Sequence, residues 1–470
     1  MDKERNEEGF FERARQTAEK ILSMKNPLLV HHYDADGLSS GSIVAFALKQ
    51  KGIPFEMQVV KRFDEKTLEL FEGKKEIVFT DIGSGQMQLV NKLDADIALI
   101  DHHPAPEEPK ENVLMCNPHD FGIDGTSELC SASTAYYCFR HLNEKTITQL
   151  GIVGAVGDLQ DYTTTGFIGL NRKMVEEGAE KGHVFVNKDL RIFGRVSKPL
   201  IWFLTYCTDP FLPGLSGNEK ACASFLAEKG FPLKKNGEWV CYYDLSAMQR
   251  KKLASDLIEY GKEKGLEEEV LETIVGDVYL FLHENEKSEL RDALEFSTLL
   301  NACGRHDHAS VGVRVCLHEP QAYEEAKAIL SEHRRQIKAG LEYAKKQTMD
   351  LGTFYFFDGR GEVSDTVIGI VAGGFFNSGI IERNKPILAF SFDEEGRTKI
   401  SGRASRALVE KGLDLGEVMR KAGEAAGGLG GGHSIAAGCT IATTRDAETK
   451  FLKKAKEVIQ IQLQIENSGK

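Results

Sequence analysis

No apolar stretch in the 470 residues approaches the ~20 that a membrane-spanning helix needs, which excludes a chain threaded through a bilayer by helices. The first residues, Met1-Asp2-Lys3-Glu4-Arg5, are charged where a secretory signal would be apolar, so a soluble, cytoplasmic protein is expected. An excess of positive charge is also missing: 59 Lys and Arg stand against 71 Asp and Glu, a net charge of −12. A broad basic surface for duplex DNA is thereby disfavoured, while nucleic acid held by bound metals and a few local arginines is not. The nine cysteines are scattered and form no C-x-x-C pair, which argues against both a disulfide framework and a structural zinc site. Internal repeats and low-complexity segments are absent as well.

What remains has the make-up of a soluble globular enzyme, 41% hydrophobic and 28% charged, long enough for two or three domains. One stretch stands out. Leu28-Leu29-Val30 reads as a short buried strand running into His31-His32-Tyr33-Asp34-Ala35-Asp36-Gly37, after which a helical pattern begins. Open α/β sheets place their sites at such C-terminal strand ends. Two further strand signals, 76–80 and 95–100, stop at Asp81 and at Asp101-His102-His103. A fourth carboxylate, Asp158, follows the glycine-rich 151–157. The β-α-β-α-β rhythm predicts a parallel, buried sheet. Carboxylates and imidazoles crowded at its edge would repel and desolvate one another without a cation, and hard oxygen with imidazole suits Mn²⁺ or Mg²⁺. Asp34 followed by Asp36-Gly37 could equally be an Asx turn capping the helix. The set as a whole has no such alternative, because burying that many uncompensated carboxylates costs too much.

A helical pattern from about Thr164 to Gly182 leads away from this region. Residues 190–285 change character, with Trp202, Phe203, Tyr206, Phe211 and Leu212 among Pro and Gly turns. Part of that set must form the module's own core, and an exposed remainder would mark a partner site. Helices are expected over 291–305 and 321–346, then strands at 354–357 and 386–390. The second α/β region ends in a glycine-rich loop, 427–432, followed by His433. Expected domains are 1–189, 190–285 and 286–470.

Asp34-Ala35-Asp36-Gly37, Asp81, Asp101-His102-His103 and Gly157-Asp158, in order, resemble the DHH phosphoesterase superfamily. Ser401-Gly402-Arg403-Ala404-Ser405 and Gly430-Gly431-Gly432-His433 look like its DHHA1 substrate-binding domain. An insert between the two, with Arg291-Asp292-Ala293 and 300–305 after it, is similar to the archaeal RecJ-like single-strand nucleases. The resemblance implies an N-terminal parallel-sheet domain, an inserted module and a C-terminal α/β domain, with the active site in the interdomain cleft. It implies two Mn²⁺ (or Mg²⁺) held by His32, Asp34, Asp36, Asp81, His102 and Asp158, Asp81 bridging them. His103 would contact the scissile phosphate and Asp101 would orient a neighbouring imidazole, while His31 has no assigned role. Ser401, Arg403, Ser405, Gly431, Gly432 and His433 would hold substrate phosphates through backbone N–H groups, a bidentate guanidinium and an imidazole.

The implied activity is exonucleolytic hydrolysis of single-stranded DNA or RNA in replication or repair. Alternatives are a phosphodiesterase for small substrates (nanoRNA, cyclic dinucleotides or adenosine bisphosphate) and a replication scaffold. Such small-substrate relatives are generally shorter and lack the insert, and scaffolds lose the ligands that this chain keeps. In the similar nucleases an insert is implicated in docking on the GINS complex, which makes GINS the candidate partner of residues 190–285.

Overall fold

The computed structural model describes residues 4–162, 166–207 and 210–464. The chain divides into two compact units, Met1–Phe203 with Ala223–Leu330, and Leu204–Cys222 with Ser331–Lys470. Among the described residues, no helix is long and apolar enough to cross a membrane.

The first unit is built on a parallel sheet of β1 (Leu28–His31), β2 (Glu56–Val59), β3 (Glu76–Thr80), β4 (Asp96–Ile100) and β5 (Val113–Cys116), ordered β2-β1-β3-β4-β5. β1, β3 and β4 are the strands the sequence announces. β2 and β5 flank them, and β2 is a partly exposed edge whose Glu56 and Gln58 mask its strand character. Side chains alternate across the sheet as the two-residue period requires. Leu28, Val30, Ile77, Phe79, Ile97 and Leu99 pack on one face with Phe63, Phe71 and Met87. Leu29, Val78, Ala98 and Ile100 pack on the other with the helices Glu7–Ser23, Ala35–Gln50, Ser131–Phe139 and Lys145–Gly157. Both faces are therefore covered, and only the strand ends remain for a site.

Small residues set how closely these helices approach. A methyl group at Gly154 would lie 2.3 Å from Ala132 Cβ and 2.7 Å from Asp36 Oδ1. One at Gly37 would meet the His32 carbonyl group at 2.6 Å, so the first turn of the Ala35 helix presses on the chain leaving β1. The helix Ala293–Arg305 closes this side. Asn301 Oδ1 accepts from the Ala35 N–H (3.0 Å), and a methyl at Gly304 would stand 1.7 Å from the Tyr33 carbonyl oxygen.

The helix anticipated after Asp158 spans Gly169–Glu180, and Thr164 lies outside the described residues. β6 (Phe185–Leu190) pairs antiparallel with β9 (Val275–Leu280). Between them, β7 (Lys234–Lys235) and β8 (Glu238–Trp239) form a hairpin whose turn residues Asn236 and Gly237 both take positive φ. Phe203 and Leu212 are buried, and Trp202, Tyr206 and Phe211 half-buried. The insert is anchored to the Ala293 helix by buried charges. Arg195 pairs with Asp292, the N-cap of that helix, while Glu295 accepts from the Val196 N–H (2.8 Å) and the Ser197 hydroxyl.

The second unit carries a mixed sheet of β10 (Met349–Asp350), β11 (Tyr355–Asp358), β12 (Ile387–Phe392), β13 (Thr398–Arg403), β14 (Leu429–Gly432) and β15 (Ala436–Ile441), ordered β10-β11-β12-β13-β15-β14. The helix Ile368–Asn377 packs on the face bearing Ile387 and Ala389. The helices Leu415–Ala425 and Arg445–Gln462 pack on the face bearing Leu388 and Phe390. One expectation is corrected here: Leu429–Gly432, within the glycine-rich stretch, is edge strand β14 and not a loop. The reason is steric. A methyl at Gly430 would lie 2.3 Å from the Met419 carbonyl oxygen, so glycine is what lets the Leu415 helix lie against the strand.

Candidate metal centre

Asp34, Asp81, Asp101 and Asp158 each sit just past the end of a regular element, and Asp36 in the first turn of a helix. Asp34 takes the capping role that its sequence context suggests and turns its other oxygen toward the cluster. Its Oδ1 caps the Ala35 helix at Gly37 N (3.0 Å), while Oδ2 lies 2.9 Å from His32 Nδ1. Asp36 accepts from the Ser131 and Ala132 N–H groups (2.8 and 2.7 Å), where the N-terminus of the Ser131 helix favours negative charge. Even so, burial and the nearby Asp81 carboxylate push its pKa up to about 7.

Asp81 occupies a left-handed backbone conformation, φ 60°, that turns its buried carboxylate into the centre of the cluster. Its two oxygens face different neighbours. Oδ2 lies 3.4 Å from His32 Nδ1, whereas Oδ1 lies 3.4 Å from His102 Nε2 and accepts from the Ser131 hydroxyl (3.1 Å). His102 Nδ1 is 2.7 Å from the Gly125 carbonyl oxygen. A carbonyl cannot donate, so Nδ1 carries the hydrogen and Nε2 is the atom turned toward the carboxylates. Asp158 Oδ2 approaches that Nε2 to 3.4 Å and Asp36 Oδ2 to 3.9 Å.

Three candidate ligand groups result, His32 with Asp34 and Asp81, Asp36 with His102 and Asp158, and Asp81 with Asp101, His102 and His103, the atoms of each lying within 4.8 Å of one another. Their electrostatics show what the set lacks. Burial drives the Asp158 carboxyl well above its ordinary pKa, with Asp36 adding repulsion. Burial disfavours the His32 cation, yet Asp34 and Asp81 outweigh it and raise the imidazole to about 12. The cluster thus favours positive charge among its carboxylates. Oxygen-rich sets joined by imidazole, at this separation, fit divalent cations.

Asp101 behaves differently. Its Oδ1 accepts from the backbone N–H groups of His102 and His103 (2.8 and 3.2 Å) and from His103 Nδ1 (2.8 Å), and its Oδ2 from Ser84 N (2.9 Å). Burial works against its ionisation, but the bond from His103 keeps its pKa low. The His103 ring is half-exposed and oriented with Nε2 away from Asp101. His31 is buried, with Nδ1 2.8 Å from the His32 carbonyl, and burial lowers its pKa to about 4. It packs against Gly41, outside the ligand groups.

Sequence reasoning passed over Ser131 on Asp81 and Gly125 on His102, and it gave no role to Asn301 on Ala35 or to Arg305 within the 300–305 segment. Arg305 is a half-buried cation whose charge faces Tyr33 and Asp34, although burial lowers its pKa. The signal available for Asn301 and Arg305 is their four-residue spacing, one helical turn on a shared face.

In the second unit, Ser401 and Arg403 share one face of β13. The register sets Ser401 beside Gly438, which is itself beside Gly431, and Gly402 beside Ala437, which is itself beside Gly432. His433 is exposed just past β14, its N–H bonded to the Ala436 carbonyl (3.0 Å). The Arg403 guanidinium lies across Gly369, where a methyl would come within 2.6 Å of Nη2. Ser405 has a different commitment: it is buried, caps the short helix Arg406–Glu410 at Leu408 N (3.3 Å) and donates to the Arg383 carbonyl (3.3 Å).

The chain matches the DHH family, N-terminal domain, over residues 27–155, the DHH-CID domain over 192–275 and the DHHA1 domain over 355–461. It is 31% identical over 456 residues to an uncharacterized protein of Methanocaldococcus jannaschii, covering 95% of this chain and 96% of that one. Its fold is similar to that of Cdc45 from Entamoeba histolytica, with a TM-score of 0.63 at 13% identity over 96% of this chain and 99% of that one. RecJ from Thermus thermophilus, solved with Mn²⁺, gives 0.58 at 16% identity over 96% of this chain, which spans 55% of the RecJ chain. A second RecJ exonuclease, bound to manganese, gives 0.56 at 15% identity over 96% and 94% of the two chains.

Proposed function

As a member of the DHH family, with DHH, DHH-CID and DHHA1 domains in chain order, this chain is of the DHH/DHHA1 phosphoesterase type, and we propose that it is a metal-dependent exonuclease on single-stranded nucleic acid. The observation that carries this reading is Asp81, whose opposite oxygens face His32 in one ligand group and His102 in another. His32, Asp34, Asp36, Asp81, His102 and Asp158 would hold two Mn²⁺ or Mg²⁺, with Asp81 shared. Bound there, such ions supply Lewis acidity toward water and toward phosphoryl oxygens. RecJ solved with Mn²⁺ and with bound manganese supports that choice of metal.

The chain's own groups have separable tasks. Asp101 holds the His103 ring so that Nε2 can donate to a phosphate oxygen. Arg305, beside Asp34, adds positive charge at the entrance to the cluster. Ser401, Arg403, Gly431, Gly432 and His433 hold phosphates of the strand away from the scissile bond. Hydrolysis is thus assigned to the first unit and strand binding to the second.

The deciding experiment offers end-labelled single-stranded DNA, RNA and dinucleotides with Mn²⁺, with Mg²⁺ and with chelator. The proposal expects stepwise, metal-dependent shortening of single strands at least as efficient as hydrolysis of dinucleotides. Cleavage confined to dinucleotides would replace it with the small-substrate reading, and no cleavage of any substrate with the scaffold reading. We further propose GINS as a partner docking on residues 190–285, where Trp202 and the exposed Trp239 lie with ring centres 5.7 Å apart. Trp239→Ala is expected to abolish co-purification with GINS and to spare cleavage of short oligonucleotides. Unchanged co-purification removes that surface from consideration.

A further inference from the structure

A single turn addresses both nitrogens of the His102 ring. The Lys145 helix ends at Gly157, and Asp158 turns its Oδ2 toward His102 Nε2 at 3.4 Å. Leu159 then takes a left-handed conformation, φ 58°, with its side chain 60% exposed. That reversal sends Gln160 back inward, where it is 3% exposed and its N–H returns to the Ala155 carbonyl (3.0 Å). A leucine exposed in a sparsely allowed backbone region is a local cost that its own packing does not offset.

Gln160 Nε2 donates to the Gly125 carbonyl oxygen at 2.8 Å, the same oxygen that accepts from His102 Nδ1 at 2.7 Å. Both lone pairs of that carbonyl are then used. The orientation of the amide is forced. A carbonyl needs a donor, so Nε2 must face Gly125, and Oε1 accepts from the fully buried Asn171 Nδ2 at 2.6 Å. Gly125 cannot be replaced without moving this oxygen, since a methyl there would lie 2.3 Å from the His102 carbonyl oxygen.

We infer that Gln160 is a positioning residue for His102: by fixing the Gly125 carbonyl it holds the imidazole in the tautomer and direction that turn Nε2 into the metal cluster. The inference rests on the reading of His102 as a metal ligand. Groups of this kind fix the ring and raise ligand basicity, and their loss typically costs ~10–100-fold in metal affinity.

The test is Mn²⁺ titration calorimetry on the full chain, in a double-mutant cycle of Gln160→Met with His102→Ala. Gln160→Met alone is expected to weaken Mn²⁺ binding ~10–100-fold. In the His102→Ala background it should cost nothing further, because its effect passes through that ring. Gln160→Asn, too short to span Gly125 and Asn171, repeats the cycle if the methionine variant does not fold. Losses that add in the cycle, or an unchanged affinity in the single variant, overturn the inference while leaving the metal reading intact. A wild-type chain that binds no Mn²⁺ overturns both.

Discussion

Asp81 faces His32 with one oxygen and His102 with the other, and its backbone states part of the cost. A φ of 60° is unfavourable for most side chains but tolerated by Asp and Asn. Asp81→Asn therefore keeps the turn while removing the charge that faces His32 on one side and His102 on the other. Hydrolysis of single strands in Mn²⁺ is expected to fall by at least ~1000-fold, several kcal/mol of lost charge stabilisation, with cooperative thermal unfolding retained. Near-normal turnover by this variant at saturating Mn²⁺ would refute the shared-ligand assignment. Asp101 would not give the same result on substitution, because its oxygens are already occupied by four N–H donors. Two aspartates of the same sheet thus do different work, and the difference lies in what each accepts.

At the scale of elements, the close approach of helices decides how far carboxylates can be pressed together. Gly154→Ala places a methyl against Ala132 and Asp36 at once. Separating the Lys145 and Ser131 helices should cost ~1–3 kcal/mol, read as a lower melting temperature, with weaker Mn²⁺ binding as Asp36 shifts. An unchanged melting temperature would mean that the helices are less tightly coupled than their spacing indicates. Much of this architecture was legible in advance, since Leu28-Leu29-Val30, Ile77-Val78-Phe79 and Ile97-Ala98-Leu99-Ile100 are apolar runs that give way to His31, to Thr80-Asp81 and to Asp101. β2 was not, because an edge strand need not be apolar, and β14 was not, because four glycine-rich residues carry no strand pattern. The acidic and imidazole members of the site could be found for the same reason that they are costly: charge at a buried strand end needs explanation. Gln160, Ser131 and Asn301 are neutral, and nothing in a linear reading marks the carbonyl, carboxylate or N–H that each will meet.

Over the molecule as a whole, the inserted module contributes to both compact units, Leu204–Cys222 belonging to the second and Ala223–Leu330 to the first. Its junction with the Ala293 helix also carries a pH dependence. Burial pushes Glu295 up to about 7, with Asp292 adding repulsion, against an ordinary value of 4.5. Between those values the folded chain keeps a proton that the unfolded chain has released, so stability falls as pH rises from about 4.5 through 7 and stays lower above it. Glu295→Gln preserves an acceptor for the Val196 N–H and should flatten this decline, with the gap to wild type largest at pH 8 and of order a few kcal/mol. Parallel melting curves for the two proteins from pH 5 to 8 would show that Glu295 does not hold the proton.

The Asn301 bond to Ala35 spans 266 positions, and Gly304 seats against the Tyr33 carbonyl from as far away. On a ribosome, every candidate metal ligand is made by residue 158, yet the wall behind the first of them arrives only with residue 305. At ~5–20 residues per second, the stretch between the two takes on the order of ten seconds to make. Closing so long a loop is slow and comes late. Any factor that shelters this chain during synthesis has its task set by that interval: to keep the open end of β1 from its neighbours until the Ala293 helix can reach it.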